Sequence, residues 1–397
     1  MQSTRAPTPQ PMAAAARSLA LTAALTTAMA AIPNAVLAGA SVDLGGDRSL
    51  TFGIGTRYSY ARVERPKAAG GGHVIDPGLD SARLFFGASL NRQLKAVFNT
   101  EWDGAERRIR LLDLNAQYAY SPEFNLWAGR LVSPSDRHNM AGPYYSMGGG
   151  YWPCVASRYG CNGGIFRARD NGVVVWGGVA DARLGYSIGA FEGRTFGVGA
   201  LNDAQARRAG VRSVGSLMYS GRLQYDFWDL ETGYFSAANH LGGQDILAIG
   251  VAGRYQKQGV LSAAERGRYA SYNLDFLLEK RIKGAGGFAL EAAYYDYDTG
   301  DVVKAEQGRA YSAGASYIFE RNVGWGRLQP FTRWQQFSAD TRVDTDQLDW
   351  GVNYIIDGYN AQLSATYSTA KTTGNPTTTV TSNRSLDRFV FSLQLQY

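Results

Sequence analysis

The chain has 397 residues and a formal net charge of +6, with 48 glycines, 24 tyrosines and a mean hydropathy of −0.25. A sequence pI of about 9.1 would suit a nucleic-acid-binding protein, but the basic residues are dispersed and the export signal described next argues against that partner. The low mean hydropathy does not exclude a membrane protein, because strands that alternate lipid-facing and water-facing residues average out.

The N-terminal region predicts export. Arg5 and Arg17 precede the apolar run Leu19 to Ile32, and small residues follow around Ala38 and Ala40. This order is typical of a secretory signal peptide, and the run is shorter than the roughly 20 residues that a transmembrane helix needs. We therefore expect residues 1–40 to be a cleaved signal peptide and residues 41–397 to form one domain.

From residue 48 onward the chain alternates between apolar and polar residues, which places the two kinds on opposite faces of a strand. The first apolar face contains Leu50, Phe52, Ile54, Tyr58 and Tyr60, a later one contains Leu112, Leu114, Ala116, Tyr118 and Tyr120, and the last contains Phe389, Phe391, Leu393, Leu395 and Tyr397. These segments approach the 9–11 residues of a tilted membrane strand. The pattern predicts an all-β fold, a transmembrane antiparallel β-barrel.

Connections between the predicted strands alternate between short turns and long polar loops, as in barrels with short periplasmic turns and longer outer loops. The longest outer loop is the third, Leu131 to Arg169. Phe227 to Gln244 has to be a strand or an extended periplasmic connection. Because a chain that enters and leaves on one side needs an even number of strands, we interpret it as a connection and predict sixteen strands.

The polar faces of the strands carry basic residues that we expect to line the lumen, and rings of arginine and lysine favour anions in pores. They are Arg57, Arg83, Lys95, Arg183, Arg222, Arg254, Arg333 and Arg388. Carboxylates lie on the same faces, so two interpretations remain open. The lumen has a mild anion preference, or its charges pair across strands and leave it unselective.

The only cysteines, Cys154 and Cys161, lie close together in the third loop. We expect them to form a disulfide in an oxidising periplasm. Further metal ligands are missing nearby, and no C-x-x-C-H haem motif occurs, so we expect neither metal nor cofactor.

Several segments resemble the Gram-negative outer-membrane porins, nearest to the phosphate-selective porin O/P-like group. They are FNLWAGRLVSP (residues 124–134), RLGYSIGAFEGR (183–194), GGQDILAIGVAGRYQ (242–256), FALEAAYYDYD (288–298), DWGVNYIIDGYNAQLSATY (349–367) and the C-terminal strand. The resemblance implies a sixteen-stranded, usually trimeric barrel whose long third loop folds into the pore. On that basis the arginines of the third loop are candidates for a constriction: Arg137, Arg158, Arg167 and Arg169.

The function that we expect is passive diffusion of small hydrophilic solutes and ions across the outer membrane. Phosphate is one possible solute, although the chain has few lysines; organic anions are another, because the arginine fork binds carboxylate and phosphate. The alternatives are a structural or receptor barrel and an outer-membrane hydrolase. No G-x-S-x-G or H-E-x-x-H motif occurs, and His73, His138 and His240 stand in no recognisable frame with a serine and a carboxylate. We therefore predict no enzymatic activity.

Overall fold

The computed structural model describes residues 39–65, 70–104, 107–148, 154–159, 168–193, 196–197, 216–261, 266–300, 302, 307–340, 343–374 and 384–397. Its main elements are long β-strands, with one helix, α1, over Arg137–Ala141 and a 3₁₀ turn over Pro143–Tyr145. In this described part of the chain, no helix has the length and apolar character needed to cross a membrane.

Sixteen long strands form one closed antiparallel barrel in the described part of the chain, which confirms the predicted fold and strand number. Three short strands accompany them: β1 Ala40–Gly45, β9 Phe196–Gly197 and β15 Asn322–Val323. The long strands are β2 Arg48–Glu64, β3 His73–Ser89, β4 Leu94–Asp103, β5 Arg108–Ser121, β6 Phe124–Val132, β7 Arg169–Val179, β8 Leu184–Phe191, β10 Met218–Asp226, β11 Ile246–Leu261, β12 Arg266–Ile282, β13 Gly286–Asp298, β14 Gly308–Phe319, β16 Gly326–Ala339, β17 Val343–Asp357, β18 Ala361–Gly374 and β19 Arg384–Gln396.

The barrel closes where β19 pairs with β2, from Arg388 opposite Val63 to Gln396 opposite Gly55. Tyr397 extends this pairing, since its backbone N–H and carbonyl each bond Ile54 over 2.8 Å. Strand β1 then pairs with the next part of β2, with Ala40 opposite Phe52. Closure leaves the sheet without a free edge among the long strands, as a backbone surrounded by lipid requires.

Alternation along each strand places apolar residues outside the barrel and polar residues inside it. In β12, Leu274 is 51% exposed whereas its neighbour Asn273 is 1% exposed. The exposed large apolar and aromatic residues of β2 are the five that alternation assigned to its apolar face. A water-soluble protein buries its apolar face, so this inverted arrangement requires an apolar surrounding.

One predicted facing is wrong. Leu112, which alternation assigned to the apolar face of β5, is 6% exposed and lies inside the barrel, while Leu111 is 39% exposed. The register between β4 and β5 shifts there, because Asn99 pairs with Asp113 but Thr100 pairs with Leu111. Leu112 is the extra residue of a β-bulge, and a bulge reverses the facing of the residues beyond it.

Among the described residues, two connections enter the lumen. One is the third loop between β6 and β7, of which residues 133–148, 154–159 and 168 are described; the other is the β10–β11 segment, residues 227–245. Each packs apolar side chains against inward-facing residues of the strands: Tyr159 belongs to a buried cluster with Tyr295, and Leu241 to one with Ile318. The interior of the barrel is therefore partly filled, and these two connections define its open space.

Candidate solute pathway

The third loop is held across the lumen by polar side chains of distant strands. Their donors and acceptors bond backbone groups of described loop residues that lie outside the strands. The contacts are Arg254 Nη2 to the Ser133 carbonyl (3.1 Å), the Val155 N–H to Gln335 Oε1 (3.1 Å), Asn353 Nδ2 to the Met147 carbonyl (2.8 Å) and Gln394 Nε2 to the Tyr144 carbonyl (2.9 Å). These four wall residues lie on β11, β16, β17 and β19, so the loop reaches most of the way around one side of the barrel.

Asp136 joins two parts of the third loop. It caps α1 by accepting a hydrogen bond from the Asn139 N–H (3.1 Å), and it accepts a second from the Ser157 hydroxyl (2.6 Å). The Tyr295 hydroxyl on β13 donates a third over 3.2 Å. Burial raises the pKa of Asp136 above its ordinary value, although nearby His138 and the hydrogen bonds from Ser157 and Asn139 oppose the rise. The carboxyl thus fixes the start of α1 against both the rest of the loop and the wall.

The β10–β11 segment, which we expected to be a periplasmic connection, contains no strand but turns into the lumen. Tyr234, Ala238 and Leu241 are at most 8% exposed. Arg137 of the third loop forms a two-pronged ion pair with Glu231 of the segment, with Nη1–Oε1 at 2.8 Å and Nη2–Oε2 at 2.5 Å. This pairing could not be predicted from the sequence, because the partners are distant in the chain and neither lies on a long strand.

At least three of the seven predicted lumen arginines, Arg83, Arg222 and Arg333, contact a carboxylate. Arg222 contacts Asp275 with Nη1–Oδ2 at 2.6 Å, and Arg333 contacts Asp349 with Nη2–Oδ2 at 3.2 Å. On the opposite side of the barrel, the Arg83 Nε–Glu101 Oε1 distance is 2.8 Å. Pairing in a low-dielectric wall reduces the field that each cation projects into the pore. These contacts favour the paired interpretation for that part of the lumen.

The remaining predicted lumen residues have different surroundings. Arg57 and Lys95 are half-buried on the inward faces of β2 and β4, and Arg388 is half-buried on β19. Arg254 lies over the Tyr159 ring, with Cζ 3.9 Å from its centroid. Arg183 lies in the turn before β8, where its Nη1 donates to the carbonyls of three residues: Asp226, Phe227 and Trp228.

The third-loop arginines have equally different settings. Arg137 is 1% exposed within its ion pair, and Arg158 is 8% exposed with its guanidinium over the Phe337 ring. Arg169, at the start of β7, contacts Asp113 with Nε–Oδ1 at 2.9 Å. Arg167 and Cys161 lie outside the described residues, so a constriction role for Arg167 and the disulfide with Cys154 stay predictions.

A cavity of about 450 Å³ remains between the third loop, the β10–β11 segment and the wall formed by β3 to β5. Its lining includes Arg83, Asp113, Tyr144, Phe235, His240 and Tyr359. Arg83 and Arg57 both lie near the Tyr144 ring, with Cζ 4.7 and 5.2 Å from its centroid. Burial raises the pKa of the neighbouring Tyr145 to about 12, so this phenol is neutral at physiological pH. The walls of this cavity thus carry cations and carboxylates as well as neutral aromatic rings.

Sequence reasoning missed one grouping of chemical interest. His138 Nε2 lies 3.5 Å from the Ser312 hydroxyl, and His138 Nδ1 lies 3.9 Å from Glu291 Oε2. All three residues are buried. Serine, histidine and carboxylate in this order match the parts of a nucleophilic triad, but both distances exceed the 2.6–3.2 Å of a working one. Among the described residues, no group of three or more His, Cys, Asp and Glu could hold a metal.

No family model and no curated protein matches the sequence. Solved structures do match. OprB of Pseudomonas putida, at high pH, aligns with a TM-score of 0.59 and 9% identity over 88% of this chain and 94% of that chain. An anion-selective porin from Comamonas acidovorans aligns with a TM-score of 0.55 and 15% identity over 88% of this chain and 100% of that chain. Salmonella typhi OmpF, in a complex with daunomycin, aligns with a TM-score of 0.55 and 12% identity over 90% of this chain and 100% of that chain.

The chain has the fold of outer-membrane porins. A loop L8 deletion mutant of OmpT, an outer-membrane protein of Vibrio cholerae, is also similar, with a TM-score of 0.54 and 12% identity over 88% of this chain and 100% of that chain. Identities this low establish the fold alone. The nearer resemblance to the phosphate-selective porin O/P-like group stays a prediction, since none of these likenesses bears on that subgroup.

Proposed function

We propose that this protein is an outer-membrane porin, a water-filled channel for passive diffusion of small hydrophilic solutes and ions. The observation that carries the proposal is the closed barrel with an apolar outer face and a cavity of about 450 Å³ beside the third loop. The porin structures that share the fold support it. Barrels with a polar lumen conduct solutes by this route.

We further propose a mild anion preference that arises on the β2–β5 side of the lumen. Arg57 and Arg83 lie beside the Tyr144 ring there, and Arg83 lines the cavity. Glu101 and Asp113 on the same strands offset part of this charge, so the preference is small. Phosphate and organic anions are the solutes that an arginine fork recognises best.

Export, membrane location and assembly complete the proposal. Residues 1–40 act as a cleaved signal peptide, and the exposed apolar residues of the strands contact outer-membrane lipid. We propose a homotrimer on the resemblance to porins; one of the similar structures is the in-vitro folded Vibrio cholerae OmpT in a trimer form.

The test is single-channel conductance and reversal potential of the purified protein in a planar bilayer under a salt gradient. Steady channels with a small anion preference are the expected result. Arg57→Gln lowers that preference because it removes a cation beside the cavity. Arg92→Gln, whose side chain is 83% exposed in the β3–β4 turn, is the matched control and leaves it unchanged.

Two outcomes would contradict parts of the proposal. Steady channels whose reversal potential is the same in the Arg57→Gln and wild-type proteins would remove the anion preference and keep the porin. A folded barrel that never conducts would reject the porin and favour a structural or receptor barrel.

A further inference from the structure

The β10–β11 segment is attached to the barrel wall and to the third loop at three separated places, and the first is at Tyr234. The Tyr234 ring packs against Trp127 of β6 with ring centroids 4.8 Å apart. The Tyr234 hydroxyl donates to the Val132 carbonyl over 2.6 Å. Val132 is the last residue of β6, where the third loop leaves the wall, so the segment is anchored next to the start of the loop.

The second attachment joins the segment directly to the third loop. Beyond its ion pair with Glu231, the Arg137 guanidinium donates to the Ala237 carbonyl over 2.9 Å. The Ala238 N–H donates to the Tyr145 carbonyl over 3.2 Å. The side chains of Arg137 and Glu231 are 2% and 5% exposed, so breaking the pair would leave an uncompensated buried charge.

The third attachment lies against β12 and beyond it. Glu279, 1% exposed, accepts hydrogen bonds from the His240 N–H (2.6 Å) and the Gly242 N–H (2.7 Å), one on each carboxylate oxygen. The Tyr359 hydroxyl, from the turn after β17, donates to the Asn239 carbonyl over 2.9 Å. Leu241 packs with Ile318 of β14 and Ile355 of β17.

These attachments take the segment across the lumen. Strands β10 and β11 are neighbours in the sheet, and a direct turn could join them, because Asp229 and Asp245 already face each other with the Asp229 N–H 3.0 Å from the Asp245 carbonyl. The chain instead runs from the β6 side to β14 and β17 and back. A tight hairpin would suffice for the fold, so the additional residues serve the interior of the pore.

We propose that the β10–β11 segment is a second constriction element, which limits the size of solutes from the periplasmic side as the third loop does from the other. The inference rests on the proposed porin function. Phe235, Ser236 and His240 of the segment line the same cavity of about 450 Å³ as Tyr144 and Tyr145 of the third loop. Removing either the β10–β11 segment or the third loop would widen that cavity.

The experiment replaces residues Thr232–Gln244 by a short Gly-Ser linker, which keeps Glu231 for Arg137. Single-channel conductance and the largest polyethylene glycol that enters the pore are measured in planar bilayers. We expect a severalfold rise in conductance and a larger size limit. The matched control replaces the exposed turn Glu320–Trp325 by the same linker, and it keeps both wild-type values.

A point variant covers the case in which the shortened chain does not fold. Glu279→Gln keeps the size of the side chain, but its amide can accept only one of the two N–H donors. We expect the segment to detach at this site and the channel to open to a higher conductance for part of the time. Folding is checked by the heat-modifiable mobility of the barrel.

Each combination of results has one meaning. Folded variants with wild-type conductance and size limit overturn the inference while the porin stands. A silent wild type with a conducting shortened variant shows that the segment closes the lumen, which supports the inference and rejects open diffusion. Silence in every variant rejects both.

Discussion

Buried charge in this barrel is arranged residue by residue. Arg333 is 1% exposed and its partner Asp349 is 0% exposed, and Gln335 Nε2 donates to the same carboxylate over 3.2 Å. A buried ion needs a partner and additional hydrogen bonds to offset the loss of water. Such groups make the wall polar without leaving each charge available to a passing ion.

The Ser312–His138–Glu291 grouping gives a residue-scale prediction. Because its distances of 3.5 and 3.9 Å exceed those of a working triad, we expect no hydrolysis that depends on Ser312. Purified wild type and Ser312→Ala should cleave a nitrophenyl ester at the same background rate. A wild-type rate clearly above that of the refolded variant would move the hydrolase alternative ahead of the porin.

At the scale of the element, two irregular segments are ordered by side chains of the wall and of each other. Asp136 links two parts of the third loop by hydrogen bonds, and Glu279 of β12 holds the β10–β11 segment by hydrogen bonds. Both are buried carboxyls that satisfy backbone N–H groups, which a connection lacking a strand partner would otherwise leave unbonded.

The Arg137–Glu231 pair, which joins these two elements, predicts a pH dependence. Burial raises the pKa of Glu231, but the Arg137 guanidinium and its hydrogen bonds outweigh burial and hold the pKa below its ordinary value. A carboxyl whose pKa is lower in the folded state contributes stability above its unfolded pKa and loses it as the pH falls through the folded pKa.

We therefore expect Glu231→Gln to destabilise the protein by about 3–5 kcal/mol near neutral pH, the cost of leaving a buried charge unpaired. The deficit should stay constant down to about pH 5 and shrink below about pH 4.3, the ordinary glutamate value. Thermal unfolding in detergent at a series of pH values measures it. Glu320→Gln, at an exposed turn, is the control, and a deficit that vanished between pH 7 and pH 5 would contradict the pairing.

For the whole molecule, stability depends on which face meets lipid and at what depth. Leu274 is 51% exposed at the middle of β12, and Ile282 is 42% exposed at its C-terminal end. An arginine facing lipid costs about 2–4 kcal/mol at the midplane and about 0–1 kcal/mol near the interface. Leu274→Arg should thus be the more destabilising change in urea titrations of the protein folded into lipid vesicles. Equal costs at the two positions would place the apolar belt elsewhere.

The sequence by itself determined the barrel. Alternation over long segments fixes which residues face lipid, and the even strand number follows from a chain that enters and leaves on one side. It failed locally at Leu112, because the bulge between β4 and β5 is set by cross-strand pairing that alternation does not encode. Alternation in the sequence also predicted that these arginines lie on the polar faces of the strands.

Only the tertiary structure decided what those arginines do and how the lumen is filled. The partners of Arg137, Arg222 and Arg333 are remote in sequence, and pairing depends on distances of a few ångströms. The course of residues 227–245 through the lumen could not be predicted from the sequence either. An irregular segment has no periodicity, and its course follows from contacts such as Tyr234 on Trp127 and Glu279 on the His240 and Gly242 N–H groups, which exist only once the barrel has closed.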